Sequence, residues 1–264
     1  MSLMRALDGI PAVHHLVRWF KVREIIQAGL RKWPVVKTLP QSQVKYRFSS
    51  LETFFLADEF FKRDAYGPAV LPDTTTFVDL GSNAGLFAAL LAHKTGRRDL
   101  CGLMVDANPA MVSETQWLLS QNSLNRIQAI HGLVGAETDA KEVDFFILPS
   151  SLGSSQFDIY EPGKPPKGAW KKVSVPVLNL EELWQKNFGD KRCQLLKVDI
   201  EGSEKSLFRR EPQFLKRVDR VIMEWHTWIV SRQKVEQDLA AAGFRLKSVL
   251  HEEKESGIAW YARS

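Results

Sequence analysis

The chain has 264 residues, of which 44% are hydrophobic and 25% charged, and its formal net charge is +5. This balance is that of an ordinary globular protein, and it excludes a disordered chain, a collagen and a coiled coil. The two cysteines, Cys101 and Cys193, are too few for a disulfide scaffold, and we expect both to be buried free thiols because they lie in apolar, strand-like runs.

The N-terminal part of the chain is basic and has helical periodicity. Residues 1–37 carry seven Lys and Arg residues against Asp8 and Glu24, and apolar residues recur at helical spacing between Val13 and Ile26. This pattern predicts a helix packed on the main domain with its basic face in solvent, and peripheral contact with a membrane surface is the alternative. We find no apolar run near the ~20 residues of a membrane span and no signal-peptide core, so we expect a cytoplasmic protein.

The composition changes near Pro72, which predicts a helical extension over residues 1–71 and a main domain over residues 72–264. In the main domain, short apolar runs such as TTFVDL alternate with helical patterns such as GLFAALLAHKTG. This alternation predicts a mostly parallel α/β sheet with helices on both faces. The last two runs, FRLKSVL and IAWYAR, predict a C-terminal antiparallel hairpin. The Ser-, Gly- and Pro-rich residues 150–171 predict a loop insertion.

The loop after the first predicted strand is a candidate binding site, because ligands of such sheets bind beyond the carboxyl ends of the strands. Its sequence, VDLGSNAG, does not match the G-x-G-x-x-G fingerprint of dinucleotide-binding proteins. It is similar to the D-x-G-x-x-x-G loop of proteins that bind S-adenosylmethionine (SAM). The candidate cofactor-binding residues in this loop are Asp79, Gly81, Ser82, Asn83 and Gly85.

The second predicted strand ends in Asp106, Ala107 and Asn108, which complete the candidate cofactor-binding set. An acidic residue about 20 positions past the loop is placed to accept hydrogen bonds from two ribose hydroxyls. Asp106 fits both SAM and a nicotinamide dinucleotide. Asp106 or Asn108 can also cap the helix that starts at Pro109.

Two later strands carry ionisable residues with a period of two, which places them on one face of each strand. Lys197, Asp199 and Glu201 lie in LLKVDIEGSE, and Glu224 and His226 lie in VIMEWH. Buried strands rarely hold such groups unless the groups do chemistry or form ion pairs. The predicted catalytic residues are therefore Asp199, Glu201, Glu224 and His226, and a structural ion-pair network around Lys197 is the alternative.

Five segments resemble the FkbM-type SAM-dependent methyltransferases: VDLGSNAGLFA, VDANP, VPVLNLEEL, LLKVDIEGSE and VIMEWH. Tyr46, Arg47, Glu59 and Tyr66 are similar to the segment that precedes the domain in that family, and residues 1–43 lie outside the resemblance. The resemblance implies a class I methyltransferase-type (Rossmann-like) fold and SAM as the cofactor. It also implies transfer of the methyl group, usually to a hydroxyl, on a sugar, glycan or small molecule.

Methyl transfer to an alcohol requires an in-line acceptor oxygen and benefits from a base that takes the hydroxyl proton. Asp199 is the first candidate for this base and His226 the second, while Glu201 and Glu224 would orient them or bind sugar hydroxyls. We expect catalysis without a metal. The alternative is that Asp199, Glu224 and His226 bind a divalent ion that lowers the pKa of the hydroxyl.

Three other functions remain open from the sequence. A nucleic-acid methyltransferase fits the pI of about 9.1, but an acidic site edge repels phosphates, so no nucleic-acid partner is expected. A nicotinamide-dependent oxidoreductase is disfavoured by the spacing of the glycine loop. A non-catalytic partner of glycosyltransferases is disfavoured by the full set of acidic residues at the strand ends.

Overall fold

The computed structural model describes residues 22–147, 171–200 and 203–264. The predicted loop insertion lies almost entirely outside the described residues, as does the candidate catalytic residue Glu201. The first part of the predicted N-terminal helix, up to residue 21, also lies outside them.

The described residues form helices and strands that alternate through the main domain. The helices are α1 (Val22–Lys32), α2 (Leu51–Phe61), α3 (Leu86–Thr95), α4 (Pro109–Gln121), α5 (Leu180–Phe188), α6 (Glu204–Arg210), α7 (Pro212–Arg217) and α8 (Arg232–Ala241). The strands are β1 (Val35–Thr38), β2 (Lys45–Phe48), β3 (Thr76–Leu80), β4 (Cys101–Asp106), β5 (Ile127–His131), β6 (Glu142–Ile147), β7 (Lys171–Pro176), β8 (Leu195–Val198), β9 (Arg220–His226), β10 (Phe244–Glu252) and β11 (Ser256–Arg263).

Seven strands form the central sheet in the order β10–β11–β9–β8–β3–β4–β5. The five strands from β9 to β5 are parallel, while β11 is antiparallel to both β9 and β10. This arrangement confirms the expected class I methyltransferase-type sheet with its C-terminal antiparallel hairpin. The chain order reverses at β3, which lies between β4 and β8, and such a switch point opens a crevice at the carboxyl ends of the strands.

Each face of the sheet has its own hydrophobic core, and β3 contributes to both. Phe77 packs on the face covered by α2, α3 and α4, whereas Val78 and Leu80 pack on the face covered by α5, α7 and α8. Because side chains alternate along a strand, Asp79 lies on the same face as Phe77. Lys197, its register partner in β8, occupies the equivalent position next to it.

The residues before β3 pack against this first face. The segment contains the antiparallel hairpin β1–β2 as well as helices, so it is not purely helical. Phe60 of α2 and the buried Tyr66 stack on each other at 4.6 Å between ring centroids, and both rings contact Phe87 of α3 edge-on. The division of the chain at residue 71 stays a prediction.

Two further sequence expectations concern the cysteines and the membrane. Cys101 and Cys193 are buried and unbridged, as predicted. No helix in the described part of the chain is long and apolar enough to cross a bilayer.

Replacing Phe87 tests whether the N-terminal segment and the sheet form one cooperative core. Phe87 is 1% exposed and contacts the rings of Phe60, Tyr66 and Phe77. We expect Phe87→Ala to lower the free energy of unfolding by about 3–5 kcal/mol, as is typical of a buried phenylalanine. Phe54→Ala is the matched control, since Phe54 in α2 is 45% exposed, and it should cost less than about 1 kcal/mol. Urea unfolding measures both, and equal losses would contradict this packing.

Candidate active site

The glycine loop after β3 lies directly against the end of β8. Gly81 has a φ of +75°, and a Cβ atom built on it would lie 1.6 Å from the carbonyl oxygen of Asp199. Gly85, with a φ of +81°, turns the chain into α3. Only glycine permits both the left-handed conformation and the close backbone contact at position 81. The loop therefore joins the candidate cofactor-binding residues to the first candidate base.

Asp106 connects the ends of the first two parallel strands. One of its oxygens accepts a hydrogen bond from the backbone N–H of Asn83 at 2.7 Å, and the other from that of Asn108 at 2.8 Å. Asn108 in turn caps α4 by accepting from the N–H of Ala110. Burial raises the pKa of Asp106 to about 6 despite these two hydrogen bonds. Asn108 thus caps the helix, and Asp106 arranges the two loops around a pocket.

Seven of the eight candidate cofactor-binding residues line one pocket at the switch point; Gly85 lies behind it, at the start of α3. Those lining it are Asp79, Gly81, Ser82, Asn83, Asp106, Ala107 and Asn108. Sequence reasoning assigned no role to several other lining residues: Leu56 and Phe60 from α2, Met111 from α4, Phe145 from β6, and Gly132, Leu133 and Val134 after β5. The rule that ligands bind at strand ends could have found the last three.

A buried lysine lies between two carboxylates at the floor of this pocket. The Lys197 Nζ is 3.3 Å from an oxygen of Asp79 and 3.4 Å from one of Asp199. Within the described residues, the carboxylate of Asp79 accepts no conventional hydrogen bond, so this ion pair is the interaction that balances its charge. Burial opposes the charge of Lys197, but Asp79, Asp199 and Glu224 outweigh it and raise its pKa above the ordinary value. The ion-pair network considered from the sequence is present, and it includes the candidate base.

The other candidate catalytic residues meet beside this network. One ligand atom from each of Asp199, Glu224 and His226 lies within 4.8 Å of the other two. Glu224 accepts a hydrogen bond from the buried Tyr66 hydroxyl at 2.8 Å. His226 pairs through Nδ1 with the fully buried carboxylate of Glu204 at 2.9 Å. We call Asp199, Glu224 and His226 the acid–histidine cluster.

The contacts within the cluster shift its proton affinities. Burial and the nearby Asp199 raise the pKa of Glu224 above its ordinary range. Burial lowers the pKa of His226, but its hydrogen bond to Glu204 and the charges of Asp199 and Glu224 outweigh this and raise it to about 10. The raised pKa favours the protonated form of His226.

Two of these supporting contacts were not predicted. Glu204 was part of the quoted LLKVDIEGSE segment, yet only the fold brings it to His226. Tyr66 was noted for its resemblance to a family segment, without a role. Neither has a local signal in the sequence, because 22 residues separate Glu204 from His226 and 158 separate Tyr66 from Glu224.

Comparison with known proteins identifies the family of this chain. The profile of the methyltransferase FkbM domain matches residues 79–246. "Methyltransferase 1" of Beauveria bassiana (strain ARSEF 2860) is 25% identical over 189 residues, which cover 67% of this chain and 74% of that protein. "Methyltransferase sdnD" of Sordaria araneosa is 25% identical over 225 residues, which cover 75% of this chain and 85% of that protein.

Among solved structures, the chain is similar to methyltransferase FkbM from Methylobacillus flagellatus KT, with a TM-score of 0.46 and 15% identity. That match covers 72% of this chain and 44% of the other, so this chain spans less than half of that protein. Fibrillarin from Aeropyrum pernix, solved with natively bound SAM, has a TM-score of 0.48 and 11% identity over 87% of this chain and 83% of the other.

Alanine at position 81 tests the close contact between the loop and β8. The added Cβ would collide with the carbonyl of Asp199, so the loop must move, and we expect Gly81→Ala to reduce the free energy of unfolding. Gly96→Ala is the matched control, because Gly96 has a similar φ of +67° but nothing within 4 Å of an added Cβ. Gly96→Ala should lower the free energy of unfolding by about 1 kcal/mol, because alanine there meets only the unfavourable left-handed conformation. If urea unfolding gives equal losses for both, the close contact is not the constraint.

The raised pKa of His226 predicts a specific pH dependence of stability. The folded chain keeps a proton on His226 up to about pH 10, whereas the unfolded chain releases it near pH 6.5. The contribution of this group is therefore complete below pH 6.5 and is lost as the pH rises towards 10. Urea unfolding across this range should show a steeper decline for the wild type than for His226→Gln. Identical slopes would mean that Glu204, Asp199 and Glu224 do not raise this pKa.

Proposed function

Because the chain belongs to the methyltransferase FkbM domain family, we propose that it transfers the methyl group of SAM to a hydroxyl oxygen. The acceptor is a sugar, a glycan or a small molecule that carries such a hydroxyl. The observation that carries this proposal is the position of Asp199, which lies both in the wall of the strand-end pocket and in the acid–histidine cluster. Cofactor binding and proton removal can therefore take place on adjoining surfaces.

The pocket has the chemistry that SAM requires. Asp106 presents a carboxylate at the carboxyl end of β4, where it can accept hydrogen bonds from ribose hydroxyls. Met111, Leu133, Val134 and Phe145 supply apolar surface suited to the faces of an adenine ring. When bound, SAM supplies a methyl group that is already electrophilic. The remaining tasks of the chain are to hold the cofactor, exclude water and place the acceptor oxygen in line.

The three residues of the acid–histidine cluster are suited to different roles. The raised pKa of His226 suits it to donate a hydrogen bond to the acceptor rather than to take the acceptor's proton. Asp199 borders the pocket and is held by Lys197, which supports it as the carboxylate that accepts the hydroxyl proton. Glu224 is fixed by Tyr66 and orients the acceptor or the other two groups. The sequence analysis places Asp199 before His226 as the candidate base, and the raised pKa of His226 supports the same order.

The charge around the strand ends disfavours a nucleic-acid acceptor. Asp79, Asp199, Glu204 and Glu224 lie around the same strand ends, with Lys197 and His226 as the cations that pair with them. An excess of carboxylates repels a phosphate backbone, whose binding depends on releasing counterions to Lys and Arg side chains. This charge supports a neutral, hydroxyl-bearing acceptor.

Removing the proposed base should separate binding from turnover. Asp199→Asn keeps the side-chain volume but cannot take a proton, so we expect SAM binding to be retained and turnover to fall by about 10²–10⁴-fold. Asp106→Ala should instead weaken SAM binding, by about 10–100-fold, because it removes charge-assisted hydrogen bonds of about 1.5–3 kcal/mol. Calorimetry measures binding, and mass spectrometry of acceptors incubated with methyl-labelled SAM measures turnover.

The acceptor panel should contain sugars, oligosaccharides, small alcohols and an RNA. Asp139→Asn is the matched control, since Asp139 is an exposed carboxylate paired with Arg210, and it should leave both readouts unchanged. Methylation of the RNA alone, or wild-type turnover in Asp199→Asn, would contradict the proposal.

A further inference from the structure

The acid–histidine cluster has the composition and spacing of a metal site. One oxygen each from Asp199 and Glu224 and one ring nitrogen of His226 lie within 4.8 Å of one another, and all three residues are half-buried. Ligand atoms bind divalent ions at about 2.0–2.3 Å, so atoms that share an ion lie up to about 4.5 Å apart. Side-chain movements of a few tenths of an ångström would bring all three atoms within bonding distance of one ion.

Each of the three side chains also has a hydrogen bond or an ion pair with a second residue. The buried carboxylate of Glu204 pairs with Nδ1 of His226 at 2.9 Å, which leaves Nε2 as the ring nitrogen that can bind an ion. The Tyr66 hydroxyl donates to one oxygen of Glu224, and the ammonium group of Lys197 lies beside one oxygen of Asp199. Metal-binding histidines and carboxylates are characteristically fixed by such outer contacts, in particular by a carboxylate on the second histidine nitrogen.

The charges around the cluster favour a cation. Asp79, Asp199, Glu204 and Glu224 converge there, and the basic groups among them are Lys197, which is shared between Asp79 and Asp199, and His226, which pairs with Glu204. Buried carboxylates in excess of their partners are stabilised by a bound cation or by protons.

We propose that Asp199, Glu224 and His226 bind one divalent cation. Two carboxylate oxygens and one imidazole nitrogen are ligands that a divalent ion such as Mn²⁺ accepts. On binding, the imidazole coordinates through a deprotonated ring nitrogen, and any proton on that nitrogen passes to solvent. Three protein ligands leave further coordination positions on the ion open. One of these positions would hold the acceptor oxygen, a role that rests on the proposed function.

Binding can be tested without SAM or an acceptor. Chelator-treated protein is titrated with Mn²⁺, and the electron paramagnetic resonance signal of free Mn²⁺ reports how much is bound. We expect one ion per chain, with the affinity reduced at least about 10-fold in Asp199→Asn, Glu224→Gln and His226→Gln. Glu204→Gln should weaken binding by about 10–100-fold, as is typical when an outer carboxylate is lost. His251→Gln, which removes an exposed histidine–glutamate pair, is the matched control and should bind as the wild type does.

Some of these variants change buried groups, so a second measurement uses the unaltered protein. Mn²⁺ bound at the cluster lies beside the strand-end pocket, because Asp199 belongs to both, and it should broaden the nuclear magnetic resonance signal of bound ¹³C-methyl SAM. The absence of one-to-one Mn²⁺ binding, or binding that leaves the methyl signal sharp, would overturn the metal site. Full methyl transfer by chelator-treated protein would overturn only the role of the ion. Failure to bind SAM at all would overturn the proposed function, and the Mn²⁺ titration would still decide the metal site.

Discussion

A single buried ammonium group holds the strand ends of this protein together. Lys197 lies within 3.4 Å of Asp79, Asp199 and the carbonyl oxygen of Gly81, which belong to β3, the end of β8 and the glycine loop. Without Lys197, the buried carboxylate of Asp79 would have no partner, which would cost about 3–5 kcal/mol. The glycine loop, the pocket and Asp199 therefore depend on the same ion pairs, so the binding surface and the reactive surface are fixed relative to each other.

The alternation of side chains along the strands decides which face becomes reactive. Asp79, Lys197 and Glu224 lie on the face of the sheet that α2 and Tyr66 cover, while their neighbours in β3, β8 and β9 fill the opposite core. The segment before the main domain therefore does more than shield apolar surface. It brings a hydroxyl to Glu224 and closes one side of the pocket with Leu56 and Phe60.

The side of the pocket away from this segment is built by the hairpin β6–β7. Phe145 packs with Leu133, Ala136 and Val175 in a small hydrophobic cluster of its own, and it reaches the pocket lining. Leu133 forms a β-bridge with the residue just after β7, which attaches the hairpin to the chain that follows β5. The residues before β3 and the hairpin β6–β7 thus both contribute side chains to the lining of the pocket.

The sequence by itself determined the sheet, the strand-end loops and the candidate residues in them. These follow from local patterns: apolar runs for buried strands, a glycine where φ must be positive, and acids directly after a strand. Only the tertiary structure decided that Asp199, Glu224 and His226 meet, and that Glu204 and Tyr66 hold two of them. Those contacts join residues far apart in the chain, and they depend on strand order and side-chain packing. Local periodicity carries no information about either.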